Sequence, residues 1–153
     1  MAKTYHLGPL RRVVNKLVGS LVRIGIAPRS TYLLITTGRT SGLARATPVR
    51  LVEDTTQRWL VAPYGAVGWV RNVRAGSPVF LRRGRRTETL DASEVDPGTA
   101  GPVLRQYLRT VRVTAPFFDA DRTDPVDRFV EEAARHPVFR LTRPGTATQK
   151  ATE

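Results

Sequence analysis

The 153-residue sequence contains no cysteine, and that absence removes disulfides, thiolate metal sites and a cysteine nucleophile together. Histidine is nearly as scarce, with His6 and His136 far apart in the chain. Two such residues cannot build a His-rich metal site, and a Ser-His-Asp triad would rest on one of them as its positioned base. His6 lies near a chain end and His136 precedes Pro137 at an expected helix end, so metal-free chemistry is the better expectation. Long apolar runs are missing as well. No stretch of about 18 apolar residues occurs, which predicts no transmembrane helix. Arg11, Arg12 and Lys16 interrupt what would be the apolar segment of a signal peptide. The expectation is a cytoplasmic protein, with peripheral contact on the inner face of the membrane left open.

What is present is positive charge. Lys and Arg total 25 against 13 acidic residues, a net charge of +12. Only Lys3, Lys16 and Lys150 are lysines, so the excess is almost all arginine. Such a field concentrates anions, whether nucleic acid, anionic lipid or a phosphorylated small molecule, and the guanidinium fork binds phosphate and carboxylate in two-pronged geometry.

The length suits one domain with its own core. From Pro9 to Ile24, apolar residues recur at helical spacing, opposite Arg11, Arg12, Lys16 and Arg23. This segment, within residues 1–28, reads as an amphipathic helix that packs on the core or lies on an anionic membrane. Strands follow at Tyr32–Thr37, Ala44–Glu53 and Arg58–Ala62, then a short helix within Gly65–Gly76. Two more strands, Val79–Arg83 and Thr87–Val95, flank an arginine-rich hairpin turn. A helix from Pro97, a loop with Phe117 and Phe118, a second helix from Pro125 capped by Asp124, and a strand at Val138–Thr142 complete the domain. Residues 143–153 read as a disordered tail. The predicted fold is α+β, mainly β: a Greek-key split barrel of about six antiparallel strands over residues 29–142, with flanking helices.

Two segments carry the candidate chemistry. In the first, Gly38-Arg39-Thr40-Ser41-Gly42, followed by Arg45, Thr47 and Pro48, a glycine-bounded turn exposes N–H and hydroxyl donors between two arginines. Phosphate pocket and ordinary hairpin are about equally good readings of it; the P-loop spacing is missing. The second segment is Ala62-Pro63-Tyr64-Gly65, leading to Trp69-Val70-Arg71-Asn72. Its glycines permit close backbone approach to a ligand and Tyr64 offers a hydroxyl, whereas Trp69 alone reads better as core.

The pattern Leu34-Ile35-Thr36-Thr37-Gly38-Arg39-Thr40-Ser41-Gly42-x-x-Arg45-x-x-Pro48 resembles the signature of the deazaflavin (F-420)-dependent nitroreductase family. The later Trp69-Val70-Arg71-Asn72-Val73-Arg74-Ala75 is similar to that family's W-x-x-N-L-x-A-N-P helix. The resemblance covers residues 30 to 96 and implies a split barrel that binds F-420 and reduces an enone, quinone or nitroaromatic. It further implies that Arg39, Thr40, Ser41 and Arg45 hold the cofactor's phosphate and the start of its glutamate tail. Thr47, Pro48 and Val49 would line the ring, Ala62, Pro63, Tyr64 and Gly65 its edge, and Trp69, Arg71 and Asn72 would close the pocket. Thr40 departs from the lysine of many relatives, and Pro63 from the serine of nitroreductases. Tyr64 is the first candidate proton donor and Tyr107 the second, with Phe117 and Phe118 as a candidate substrate wall or core.

Other readings stand beside this one. FMN in the same barrel is the alternative cofactor, and a carrier that binds the deazaflavin without turnover fits the same residues. A nucleic-acid module draws on the charge, but its aromatics do not interleave with basic residues as a stacking platform requires, so no nucleic acid is expected. The expected partners are an acidic deazaflavin and a small apolar or conjugated substrate, with an anionic membrane through residues 9–24 and a homodimer left open.

Overall fold

A computed structural model describes residues 29–145. The expected helix over residues 9–24, its membrane use, and the tail beyond residue 145 lie outside the described residues. The elements are β1 (Thr31–Thr37), β2 (Ala44–Glu53), β3 (Arg58–Val61), α1 (Gly68–Arg74), β4 (Val79–Arg83), β5 (Arg86–Glu94), α2 (Pro97–Thr110), a 3-10 segment (Arg112–Phe117), α3 (Val126–Glu132) and β6 (Val138–Thr142). Every strand pairing is antiparallel, and the six strands close into a barrel in the order β1-β2-β3-β6-β5-β4.

The two-residue period of the strands sorts side chains into two cores. Inward-pointing Leu34, Leu51, Leu60, Ala62, Leu81, Leu90, Phe139 and Leu141 fill the barrel together with Trp69, Val70 and Val73 of α1. Trp59, Val61 and Val138 point outward and meet Val103, Leu104, Tyr107 and Leu108 of α2 and Phe129 of α3. Helix α2 begins on a true cap, because Asp96 accepts hydrogen bonds from the Thr99 N–H at 3.1 Å and the Thr99 hydroxyl at 2.7 Å. Helix α3 does not. The expected Asp124 cap is corrected: its carboxylate accepts the Asp121 N–H at 2.8 Å, and the cap position of α3 is Pro125, with no side-chain hydrogen bond. The Asp and Thr residues of 121–124 satisfy one another in a closed turn instead. A second difference is the 3-10 segment, which forms where a loop with Phe117 and Phe118 was expected.

The barrel is opened by its own register. The first seven residues of β2 pair with β1, from Arg50 opposite Thr31 to Ala44 opposite Thr37. Only its last residues pair with β3, and that ladder stops at Leu51 opposite Leu60. Continued by three residues, the same register sets Pro48 against Pro63. Neither has an N–H to donate, so the ladder cannot run through this point. Here β2 leaves β3, whose continuation follows β6 through an Ala62 N–H bond to the Pro137 carbonyl at 2.9 Å.

Helices α2 and α3 approach closely at Gly101, where a Cβ would stand 2.6 Å from Val130 Cγ2 and 3.2 Å from the Val130 backbone nitrogen. Alanine is a better helix former than glycine by about 1 kcal/mol. Packing reverses that sign here: Gly101→Ala is expected to destabilise the protein by about 1–3 kcal/mol in urea unfolding, and adding Val130→Ala to recover part of the loss. A more stable Gly101→Ala protein would show that the helices separate freely.

Candidate active site at the barrel split

The β1–β2 connection is a tight loop held by its own backbone. The Gly38 N–H donates to the Leu43 carbonyl at 2.8 Å and the Gly42 N–H to the Gly38 carbonyl at 2.9 Å. A Cβ on residue 38 would fall 2.4 Å from Ser41 Oγ and 3.3 Å from the Leu43 carbonyl oxygen, so glycine leaves the Ser41 hydroxyl room in this position. Ser41 Oγ accepts the Leu43 N–H at 3.3 Å, which leaves the hydroxyl hydrogen to donate elsewhere. Arg39, Thr40, Ser41 and Arg45 are all exposed on this loop and the start of β2.

Asn72 joins the two candidate segments. It is buried on α1, where its Oδ1 accepts from the Arg39 backbone N–H and from Arg39 Nη1, each at 3.2 Å. Its Nδ2 donates to Thr36 Oγ1 at 3.2 Å, and the nearby Ser77 Oγ accepts the Thr37 N–H at 2.8 Å. Asn72 thus orients the arginine loop from behind. Arg71 is exposed on the same helix. Trp69 turns into the barrel, with its ring centroid 5.9 Å from that of Phe139.

Across the split, Ala62–Gly65 lies on the junction between α3 and β6. Pro63, Tyr64 and Gly65 are half-buried, as are Thr47, Pro48 and Val49 of β2. Gly65 has φ +83°, and a Cβ there would sit 3.3 Å from the Arg135 carbonyl oxygen. The Tyr64 ring meets Phe117 edge-on at 4.9 Å. Tyr107 is buried under α2, and burial, with Tyr64 nearby, raises its phenol above the ordinary range despite a bond to Thr114. Phe118 belongs to the outer core and stacks on His136.

Some arginines of the fold are tied to carboxylates. Arg58 pairs with Glu53 and Glu88, Arg74 with Glu94, and Arg135 with Asp119 and Glu132. Among the described residues no carboxylate pairs with Arg39 or Arg45. A loop of exposed guanidinium and hydroxyl donors, beside a strand edge interrupted by proline, fits an anionic ligand with a flat conjugated body. Among the described residues no cluster of His, Cys, Asp and Glu could hold a metal ion, and no helix is long and apolar enough to cross a membrane.

The family model for F420H(2)-dependent quinone reductase matches residues 10–131, and the chain belongs to that family. Nitroreductase is a looser label for the same F-420-dependent group. The chain is therefore an F-420-dependent reductase, with F-420 as its cofactor. Among solved structures it is similar to an F420-H2 dependent reductase, FDR-A, at 24% identity over 74% of this chain and 95% of that one, with a TM-score of 0.54. A domain-swapped dimer is similar at 20% identity over 87% of this chain and 96% of that one, with a TM-score of 0.56. A third, described as a pyridoxamine 5'-phosphate oxidase from Listeria innocua, gives 11% identity, 76% and 85% coverage and a TM-score of 0.53. At these identities the solved structures show the shared barrel. No curated protein matches the chain.

The family resemblance implied Asn72 as a pocket residue but not its work as the brace of Arg39, which depends on a contact 33 residues away in sequence. Glu132 was missed altogether, because nothing in its sequence neighbourhood marks it as buried. Asn72→Ala is expected to cost about 1–3 kcal/mol in denaturant unfolding, since it strips partners from a buried hydroxyl and a backbone N–H. It should also weaken F-420 binding, read by cofactor fluorescence; unchanged affinity would mean that the loop holds its shape alone.

Proposed function

We propose that this reductase binds F-420 along the split between β2 and Ala62–Gly65 and reduces a quinone there. The observation that carries the reading is that Asn72 bonds the Arg39 loop to the helix that follows the half-buried Pro-Tyr-Gly turn. The family's description names quinones as the electron acceptor, and a flat conjugated acceptor suits a proline- and aromatic-edged groove.

Arg39, Thr40, Ser41 and Arg45 would hold the phosphate and the first part of the acidic tail, with Asn72 keeping Arg39 in place. Thr47, Pro48 and Val49 would border one side of the ring, and Ala62, Pro63, Tyr64 and Gly65 the other. Trp69 acts from inside the barrel wall, and Arg71 adds positive charge at the rim. The chemistry supplied by bound F-420 is hydride donation to an electron-poor acceptor. The remaining tasks belong to the chain: orienting both molecules, excluding water and delivering a proton to the quinone oxygen that becomes anionic. Tyr64 is the assigned donor. Tyr107, more deeply buried and with its phenol pKa raised, is suited to supporting Tyr64.

Fluorescence titration should show F-420 binding that weakens about tenfold or more in Arg39→Ala and Arg45→Ala, the scale of one lost charge-assisted hydrogen bond. Arg74→Ala, which removes a guanidinium already paired with Glu94, should bind normally. Binding of FMN and not F-420 would overturn the assignment. In quinone turnover, Tyr64→Phe should lose about 10²–10⁴-fold in kcat if its proton is used, and a loss under about threefold would assign that proton to water.

A further inference from the structure

His136 is buried at the start of the α3–β6 junction and lies outside both candidate segments. Its Nδ1 stands 2.8 Å from the Pro63 carbonyl oxygen. A carbonyl can only accept, so Nδ1 carries the hydrogen and donates it. The other ring nitrogen, Nε2, lies 3.1 Å from Glu132 Oε2. Glu132 is buried too, and its Oε1 accepts the Asp119 and Ala120 backbone N–H groups at 2.6 Å each. The imidazole face stacks on Phe118 with ring centroids 4.0 Å apart. Burial lowers the imidazolium pKa, and the Glu132 carboxylate and Pro63 carbonyl offset that only in part; the ring keeps its Nδ1 hydrogen in either protonation state.

Three contacts in succession bind the Ala62–Gly65 turn to this junction: the Ala62 N–H on the Pro137 carbonyl, His136 on the Pro63 carbonyl, and Gly65 close against the Arg135 carbonyl. His136 supplies the only side chain among them. Glu132, which lies beside the ring, is bonded to residues 119 and 120, just past Phe117, which packs on Tyr64.

We propose that His136 is a positioning residue that holds Pro63 and Tyr64 at the edge of the split. Its consequence for cofactor binding rests on the function proposed above; its structural part does not. His136 touches no reacting atom in this assignment. It sets the carbonyl direction of Pro63, and with it where the Tyr64 phenol is presented.

The test compares His136→Phe, which keeps a ring on Phe118 and removes the donor, with His136→Asn, whose shorter amide keeps one N–H near the Nδ1 position. In the cofactor-free protein, amide NMR signals of Tyr64 and Gly65 should shift in His136→Phe and return toward the native positions in His136→Asn. Nitrogen NMR of the unaltered protein should show His136 protonated at Nδ1, a reading that survives even if a variant fails to fold. The dissociation constant for F-420 should rise about tenfold in His136→Phe and recover to within about threefold of native in His136→Asn. An unprotonated Nδ1, or unmoved Tyr64 and Gly65 signals in a folded His136→Phe protein, would overturn the proposal. So would native F-420 affinity in His136→Phe alongside weakened affinity in Arg39→Ala. Absence of F-420 binding by the native protein, with the NMR changes present, would overturn the function proposed for the split and leave the positioning role standing.

Discussion

A β-barrel closes only where each strand edge finds a donor and an acceptor on its neighbour, and in this chain one edge cannot. Continued past its last pair, the β2–β3 register would set Pro48 of β2 against Pro63 beyond β3, and neither carries an amide hydrogen. The ladder therefore ends at Leu51 and Leu60, the strands part, and the first seven residues of β2 keep a partner on one side only. Everything assigned to the site follows from that parting. The arginine loop stands at the far end of the half-paired strand, and the turn containing Tyr64 is what β3 becomes once released from β2.

An opening in a barrel is also a liability, since an unpaired strand edge can template association. Proline on the edge and arginine at its end are among the devices that blunt such edges, and here the same residues would receive a ligand. Arg58 and Arg74 are fixed to glutamates, whereas Arg39 of the loop is braced by an amide, which orients a cation without neutralising it. A net charge of +12 gives the chain a positive field that suits an acidic cofactor.

Much of this was legible beforehand, for identifiable reasons. β2, β4 and β6 have the expected limits, because alternating apolar residues between Gly, Pro and Asp punctuation leave little freedom. Trp69 read better as core from its residue type alone, and it lies in the barrel interior. The capping role expected of Asp124 failed because a competing local turn with Asp121 and Thr123 was equally available to it. Glu132 was invisible for a different reason. On helical spacing it belongs to the polar face, and only the return of residues 119–120 over that face buries it. Likewise His136 gains its partner from residue 63, and no local pattern encodes a contact across so much chain.

One further feature bears on how the molecule comes apart. β3 is only four residues long, yet Leu60 faces the barrel interior while Trp59 and Val61 face the helical layer. It is a common wall between two cores, hydrogen-bonded on both sides, to β2 and to β6. Loosening of either layer exposes the same strand, which couples the two into one cooperative unit. The amides of Leu60 and Val61 should then be among the slowest in the chain to exchange with solvent. Barrel and helices would melt together, while the loop that carries Arg39 breathes on its own.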